Sequence, residues 1–211
     1  MSAVISKSAS TSGIETNSGL SAGHTFQVSL LEQILRPMQA GQRLRVLDLG
    51  EPHGATVDFF SGHPVRLAIA SALPDLVRLD KELDDADLEQ CLETLLPASL
   101  AEGSQVVLAW DAFNYLTTPV LTALMSRLAT LLPRGALMHA LLAYGVRDVP
   151  ERPGALVIDS WQTLRTLPTG NMATRQSPGY ATGQLQRMMP DFRVIRSTLL
   201  QGGVQEFLIR R

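Results

Sequence analysis

The residues able to do chemistry gather where apolar runs end. Leu44-Arg-Val-Leu-Asp48-Leu-Gly50 leads into Glu51-Pro52-His53-Gly54, an acid followed by a glycine and, four residues later, a second glycine. Glycines there let backbone N–H groups approach a ligand, and a carboxylate at Asp48 can accept hydrogen bonds from it. A second group follows Gln105-Val-Val-Leu-Ala-Trp110, which ends at Asp111 and continues to Asn114 and Tyr115. Acid, amide and phenol within five residues can hold a substrate, or cap and pack a local turn. His53 is the histidine placed to act as a base, a position that equally suits a surface loop. Cys91 reads as a small core residue, since no activating group stands near it in sequence. Trp110 and Trp161 read as packing residues of a core and of an overhanging segment. The four histidines have no metal-ligand spacing, and one cysteine cannot form an internal disulfide.

These residues need elements to position them. Val28, Leu31, Ile34, Leu35 and Met38 recur at helical spacing, predicting a helix over 25–38 that Pro37 and Gly41 end. Leu44 to Gly50 is a buried strand, followed by a short helix over 55–61 that Gly62 stops, and by a second strand over 64–70. A helix feeding a strand in this way is a βαβ unit with parallel strands. Ser71 and Ala72 follow without an acid. Leu76-Val-Arg-Leu79 fits a brief strand or a helical turn, and Leu88, Leu92, Leu95 and Leu96 predict a helix. After the strand over 105–110, Thr118 caps a helix with Pro119 at its first position. Pro133-Arg-Gly135 stops that helix before a strand over 136–142. Residues 144–179 carry several prolines and glycines and form a long insertion of the kind that overhangs strand ends as a lid. Thr182 caps a short helix over 184–189. Phe192 to Leu200 and Val204 to Ile209 then flank Gly202-Gly203 as an antiparallel hairpin. The order predicts an α/β fold whose mostly parallel sheet is covered on both faces.

Composition agrees. With 211 residues, 45% hydrophobic and 18% charged, the chain suits one globular domain over 23–211, preceded by a disordered Ser-rich tail over 1–22. No apolar run reaches the roughly 18 residues that span a bilayer, and the N-terminus lacks the pattern of a secretion signal, so the expected address is cytoplasmic, without a membrane. A net charge of −2 gives no general attraction to nucleic acid. Acids dominate from Asp75 to Glu93, and arginines outnumber acids from Arg134 onward, as two solvated faces of one domain would have it.

The element order, with Val46-Leu-Asp48-Leu-Gly50-x-x-x-Gly54, the Leu-Leu-Pro133-Arg-Gly135-Ala-Leu run and the Gly202-Gly203 hairpin, resembles the class I S-adenosylmethionine-dependent methyltransferases over about residues 25–211. The resemblance implies a Rossmann-like three-layer sandwich with a seven-stranded, mostly parallel sheet closed by the antiparallel hairpin. It implies S-adenosylmethionine as cofactor, contacted by Asp48, Gly50, Glu51, Gly54, Ser71 and Asp111, with Asn114 and Tyr115 toward a small-molecule or protein acceptor. Two positions depart from the pattern. Pro52 replaces a glycine, and Ala70-Ser71 stands where an acid takes the ribose hydroxyls. Losing that acceptor costs about 1.5–3 kcal/mol, of which one Ser71 hydrogen bond recovers part. An inactive methyltransferase-fold module that binds a protein is therefore the alternative. The spacing of Gly50 and Gly54 does not fit the nicotinamide G-x-G-x-x-G pattern.

Overall fold

The computed structural model describes residues 20, 23–79, 85–145, 147–168 and 173–211. The elements in chain order are β1 (Thr25–Gln27), α1 (Leu30–Gln39), β2 (Leu44–Asp48), α2 (Gly54–Ser61), β3 (Val65–Ile69), α3 (Leu73–Leu79), α4 (Asp85–Leu95) and α5 (Ala98–Ala101). They continue with β4 (Val106–Trp110), a 3₁₀ turn (Ala112–Asn114), α6 (Thr118–Leu131), β5 (Leu137–Ala143), β6 (Asp148–Pro150), β7 (Leu156–Ser160) and β8 (Thr163–Thr166). Last come β9 (Thr174–Gln176), α7 (Thr182–Met188), β10 (Arg193–Leu200) and β11 (Val204–Arg210).

The central sheet has the order β10-β11-β5-β4-β2-β3. Pairs β3–β2, β2–β4 and β4–β5 are parallel, whereas β11 runs antiparallel to both β5 and β10. Leu200 stands opposite Val204 across the turn at Gly202 and Gly203, whose φ values of 74° and 67° suit glycine. Alternate side chains of each central strand enter two apolar clusters on opposite faces. Val46, Val106, Leu108, Leu141 and Leu208 pack with α1 and with Phe60 of α2. Leu47, Val107, Met138, Ala140 and Phe207 pack with α3, α4, α6 and α7. Three layers result.

Among the described residues the sheet has six strands rather than seven. The segment Leu76–Leu79, which fits either a strand or a helical turn, belongs to α3. Leu73 and Leu76 are buried one turn apart, Pro74 occupies the first turn, and the exposed Asp75 and Arg78 pair at 2.7 Å. Each of these features needs a 3.6-residue period, so β3 ends the sheet.

Two further expectations change. Residues 25–27 were expected in the first helix but form a strand, alternating exposed and buried, that pairs antiparallel with Thr163–Arg165 of β8. Pro37 does not end α1; it sits in the last turn, and the helix ends past it near Gly41 at φ 77°. The tail over 1–22 lies outside the described residues except for Leu20, which is buried at 2% exposure. No helix among the described residues is long and apolar enough to cross a membrane.

The insertion between β5 and α7 is built from strands. β7 and β8 form a hairpin extended by β1, and β6 pairs with β9 as a short ribbon. This arm rests on α2. Trp161 at the hairpin turn packs edge-on against Phe59 and His63, with ring centroids 5.0 and 4.8 Å away, and the Ile158 N–H donates to Thr56 Oγ1 at 3.2 Å. The arm thereby stands over the carboxyl ends of β2 and β4.

Candidate functional site

The two acid-bearing turns lie at that carboxyl edge, and both acids are withdrawn into the protein. Asp48 is 2% exposed and its Oδ1 accepts hydrogen bonds from the Gly50 N–H, at 2.8 Å, and from the Trp110 indole N–H. Burial pushes its carboxyl up to about 6, although the Trp110 and Gly50 N–H groups and the nearby His53 favour ionisation. Trp110 reaches this position through an unusual backbone. Its φ is 52°, and the β4–β5 register shifts between Leu108 and Trp110. A left-handed tryptophan costs about 1 kcal/mol or more, so local packing must hold it there. The indole covers Gly50 closely: a Cβ at that glycine would lie 2.9 Å from Trp110 Nε1. The open glycine expected beneath a ligand is occupied by a side chain.

Asp111 is 1% exposed, and its Oδ1 has no hydrogen-bond partner. Burial pushes its carboxyl up to about 7, even though its own backbone N–H, the Tyr115 hydroxyl and the Gly154 N–H favour the ionised form. Tyr115 is buried, its hydroxyl reaching the Arg152 carbonyl oxygen at 3.4 Å. Its phenol is raised by burial first and by the Asp111 charge second. Asp111 and Tyr115 therefore tie residues 152–154 of the arm to the sheet. Asn114 is committed as well. Its amide nitrogen donates to the Asp111 and Leu141 carbonyls at 2.9 and 3.0 Å, and its Oδ1 accepts the Ala143 N–H at 2.8 Å. With these three bonds Asn114 staples the 3₁₀ turn to β5.

The raised carboxyl of Asp111 predicts a stability profile. The unfolded chain binds fewer protons than the fold between the ordinary value of 3.8 and about 7. Stability should therefore decline across that window as pH rises, by about 4 kcal/mol, and then level off. Urea titrations at half-unit pH steps measure this. Asp111→Asn should reduce the decline and leave the smaller share that Asp48 contributes below about pH 6; a wild-type curve that is already flat between pH 4 and 7 would contradict a buried, near-neutral carboxyl.

A cavity of about 870 Å³ opens beside these turns. One wall is Glu51 and His53 of the glycine turn; a second is Leu73, Val77 and Leu79 of α3 with Cys91 of α4. The third is the arm, with Glu151 to Leu156 and Arg175, and the Trp110 indole closes the side toward Gly50. Of the expected ligand residues, only Glu51 belongs to this wall. Asp48 and Gly50 lie behind the indole, and Asp111 and Tyr115 lie behind the arm. Gly54 begins α2 with open space around it, and exposed Ser71, at φ 50°, donates its N–H to the Gly50 carbonyl at 3.1 Å. Pro52 is exposed. Sequence reasoning missed the arginines of the arm and the covering role of Trp110. The length of the insertion signalled the arm, but nothing local signalled where its side chains face. Cys91, read as a core residue, is half-buried on the cavity wall.

A crossover-connected parallel sheet with one reversed strand beside its edge strand, and a cleft over its carboxyl ends, is a class I methyltransferase-like fold, here one strand short. Solved structures resemble the chain at low identity. A Rhodobacter sphaeroides protein provisionally named a Zn-dependent alcohol dehydrogenase matches with TM-score 0.51 and 12% identity, over 88% of this chain and 91% of its own. An S-adenosylmethionine-dependent methyltransferase of Clostridium acetobutylicum matches with TM-score 0.48 and 9% identity, over 86% and 90%. The 1,6-didemethyltoxoflavin-N1-methyltransferase of Burkholderia thailandensis, with bound S-adenosylhomocysteine, matches with TM-score 0.44 and 16% identity, over 87% and 78%. At such identities the likeness is one of fold alone. Among the described residues no group of three His, Cys, Asp or Glu is placed to hold a metal ion. No protein-family model matches the chain, and no curated protein matches it.

Proposed function

We propose that this chain is an S-adenosylmethionine-dependent methyltransferase with a displaced cofactor site. The observation that carries the reading is the 870 Å³ cavity between the glycine turn and α3, at the carboxyl edge of a class I sheet. Ligands of open α/β sheets bind at that edge, and the volume lies in the upper part of the roughly 300–1,000 Å³ range of ligand sites. The fit to the cofactor is best away from Asp48. Glu51 offers a solvent-facing carboxylate that can accept from ribose hydroxyls or an ammonium group. Leu73, Val77 and Leu79 offer an apolar wall for a flat heterocycle. When bound, the cofactor supplies a methyl group already activated on a sulfonium, so the chain's task is alignment and exclusion of water. The arm performs the second part by roofing the cavity.

Calorimetry of the full chain with S-adenosylmethionine and S-adenosylhomocysteine tests this. Binding in the micromolar range is expected, and Glu51→Ala should weaken it about tenfold or more. Absence of heat at about 1 mM ligand would reject the reading. One observation favours a second reading, in which the fold is an inactive module for a protein partner: the Trp110 indole fills the space over Gly50. That reading gains if calorimetry is silent and affinity capture with the full chain returns one stoichiometric partner.

A further inference from the structure

The arm is two ladders joined by a stretch that pairs with neither. In the first, the Ser177 N–H donates to the Arg147 carbonyl and the Glu151 N–H to the Ala173 carbonyl, each at 2.8 Å, so the β6–β9 ribbon runs over 147–151 and 173–177. In the second, the Leu167 N–H donates to the Ala155 carbonyl at 2.7 Å, closing the open end of the β7–β8 hairpin. That hairpin is fixed to the body by β1, Thr56 and Trp161. Arg152-Pro153-Gly154 lies between the two ladders.

The ribbon leaves the body through glycines. Tyr144 is anchored by its N–H on the Gly203 carbonyl at 2.7 Å, and Tyr180 by its hydroxyl on the Leu116 carbonyl at 2.8 Å. Just inside each anchor stands a left-handed glycine, Gly145 at φ 70° and Gly179 at φ 63°. A Cβ at Gly145 would meet nothing within 4 Å, and one at Gly179 only the Ser177 carbonyl at 3.8 Å. Neither glycine serves a close approach; each supplies backbone range, as hinge positions do.

What holds the ribbon down centres on Tyr115. Its hydroxyl reaches the Arg152 carbonyl at 3.4 Å, and its ring lies 5.9 Å from the guanidinium of Arg175, the residue paired with Val149 in the ribbon. The Val149 side chain is fully buried in the same apolar cluster as Tyr115. Beside them the Gly154 N–H meets the Asp111 carboxyl, whose Oδ1 has no partner. The closed contact thus rests on one apolar side chain, one long hydrogen bond and an acid left incompletely satisfied, which water would complete on opening. Ribbon and junction supply Glu151, Arg152, Pro153, Gly154 and Arg175 to the cavity wall, so lifting them uncovers the cavity.

We infer that the β6–β9 ribbon is a lid through which the cavity is entered, latched shut by Tyr115 and Val149 and turning on Gly145, Gly179 and the 152–154 junction. The hairpin stays in place when the lid opens. Cys91 is the only cysteine, so the full chain carrying Cys91→Ser, Asp148→Cys and Ser126→Cys takes one spin label on the ribbon and one on α6, both at exposed positions. Ser160→Cys with Ser126→Cys gives a control pair from the hairpin to α6. Double electron–electron resonance on the lid pair should show a main distance and a longer minor one. Tyr115→Phe and Val149→Ala should each raise the longer population about threefold or more, while the control distance stays single. A lid distance unchanged in either folded variant, or a control pair that shifts with the lid pair, overturns the inference. Should Val149→Ala not fold, Tyr115→Phe decides by the same two distances. No cofactor enters these measurements. Failure of S-adenosylmethionine to bind would remove the methyltransferase reading and leave the lid comparison intact.

Discussion

Replacing Glu206 with alanine should lower folding stability by about 3–5 kcal/mol, among the largest effects of any single substitution in this chain. Glu206 stands on β11, fully buried, with its carboxylate beneath the first turn of α1. It accepts the N–H groups of Ser29, Leu30 and Leu31 at 3.1, 3.0 and 2.9 Å, three of the donors that a helix start leaves unpaired. No side chain at the helix start does this work: Ser29, at the N-cap position, makes no side-chain cap bond. The same carboxylate meets His139 Nε2 at 3.1 Å, and the His139 Nδ1 atom has no partner of its own. Alanine would orphan the buried backbone donors of Leu30 and Leu31 and a buried imidazole at once. Glu206→Gln keeps one acceptor oxygen and should cost about 1–3 kcal/mol.

The pH dependence of Glu206 has the opposite sign to that of Asp111. Burial alone pushes the Glu206 carboxyl up, but the His139 hydrogen bond and charge and the Leu31 and Leu30 N–H groups outweigh it and hold it below the ordinary range. Its stabilisation is fully present above the ordinary carboxylate value of 4.5 and is lost as pH falls through the lowered folded value. Acid unfolding followed by circular dichroism should steepen in that region for the wild type and flatten for Glu206→Gln. Identical acid limbs for the two proteins would show that the carboxylate is not ionised in the fold.

Trp110→Ala should cost a comparable amount, about 3–5 kcal/mol, because it empties a buried indole volume and removes a donor from Asp48. Trp110→Phe separates the two contributions. It retains most of the volume, deletes the N–H, and should cost about 1–3 kcal/mol while moving the Asp48 carboxyl above its present value near 6. Thermal melts at pH 5 and pH 8 distinguish these outcomes, since the Phe variant should lose more at the higher pH, where Asp48 must ionise. A Phe variant that melts with the wild type at both pH values would mean the indole–carboxylate bond contributes nothing. In ligand titrations the alanine variant should gain affinity for S-adenosylmethionine, because the space over Gly50 becomes available; no gain would show that the indole does not limit the site.

Much of the architecture was legible from the chain. The apolar runs ending at Asp48, Trp110 and Leu142 carry their periodicity locally, so local reading suffices. Where it did not suffice, two local patterns competed. Thr25-Phe-Gln27 fits the start of a helix as well as a strand, and only the hydrogen bonds offered by β8 decide it. Leu76–Leu79 is equally ambiguous until Leu76 finds a buried place beneath the helices on that face.

The site shows the same division more sharply. By itself the sequence determined that two acids, Asp48 and Asp111, follow buried strands, and that a long insertion overhangs strand ends, since strand ends and loop length are properties of contiguous residues. Tertiary structure decided what those acids face. A tryptophan 62 residues beyond Asp48 takes its carboxylate, and Gly154 and Tyr115 take that of Asp111. It also decided that the cavity wall is made by Glu51, α3 and the arginines of the arm. Orientation toward a partner distant in the chain depends on how the layers pack, and strand and helix periods record which face a side chain occupies without recording what lies across from it.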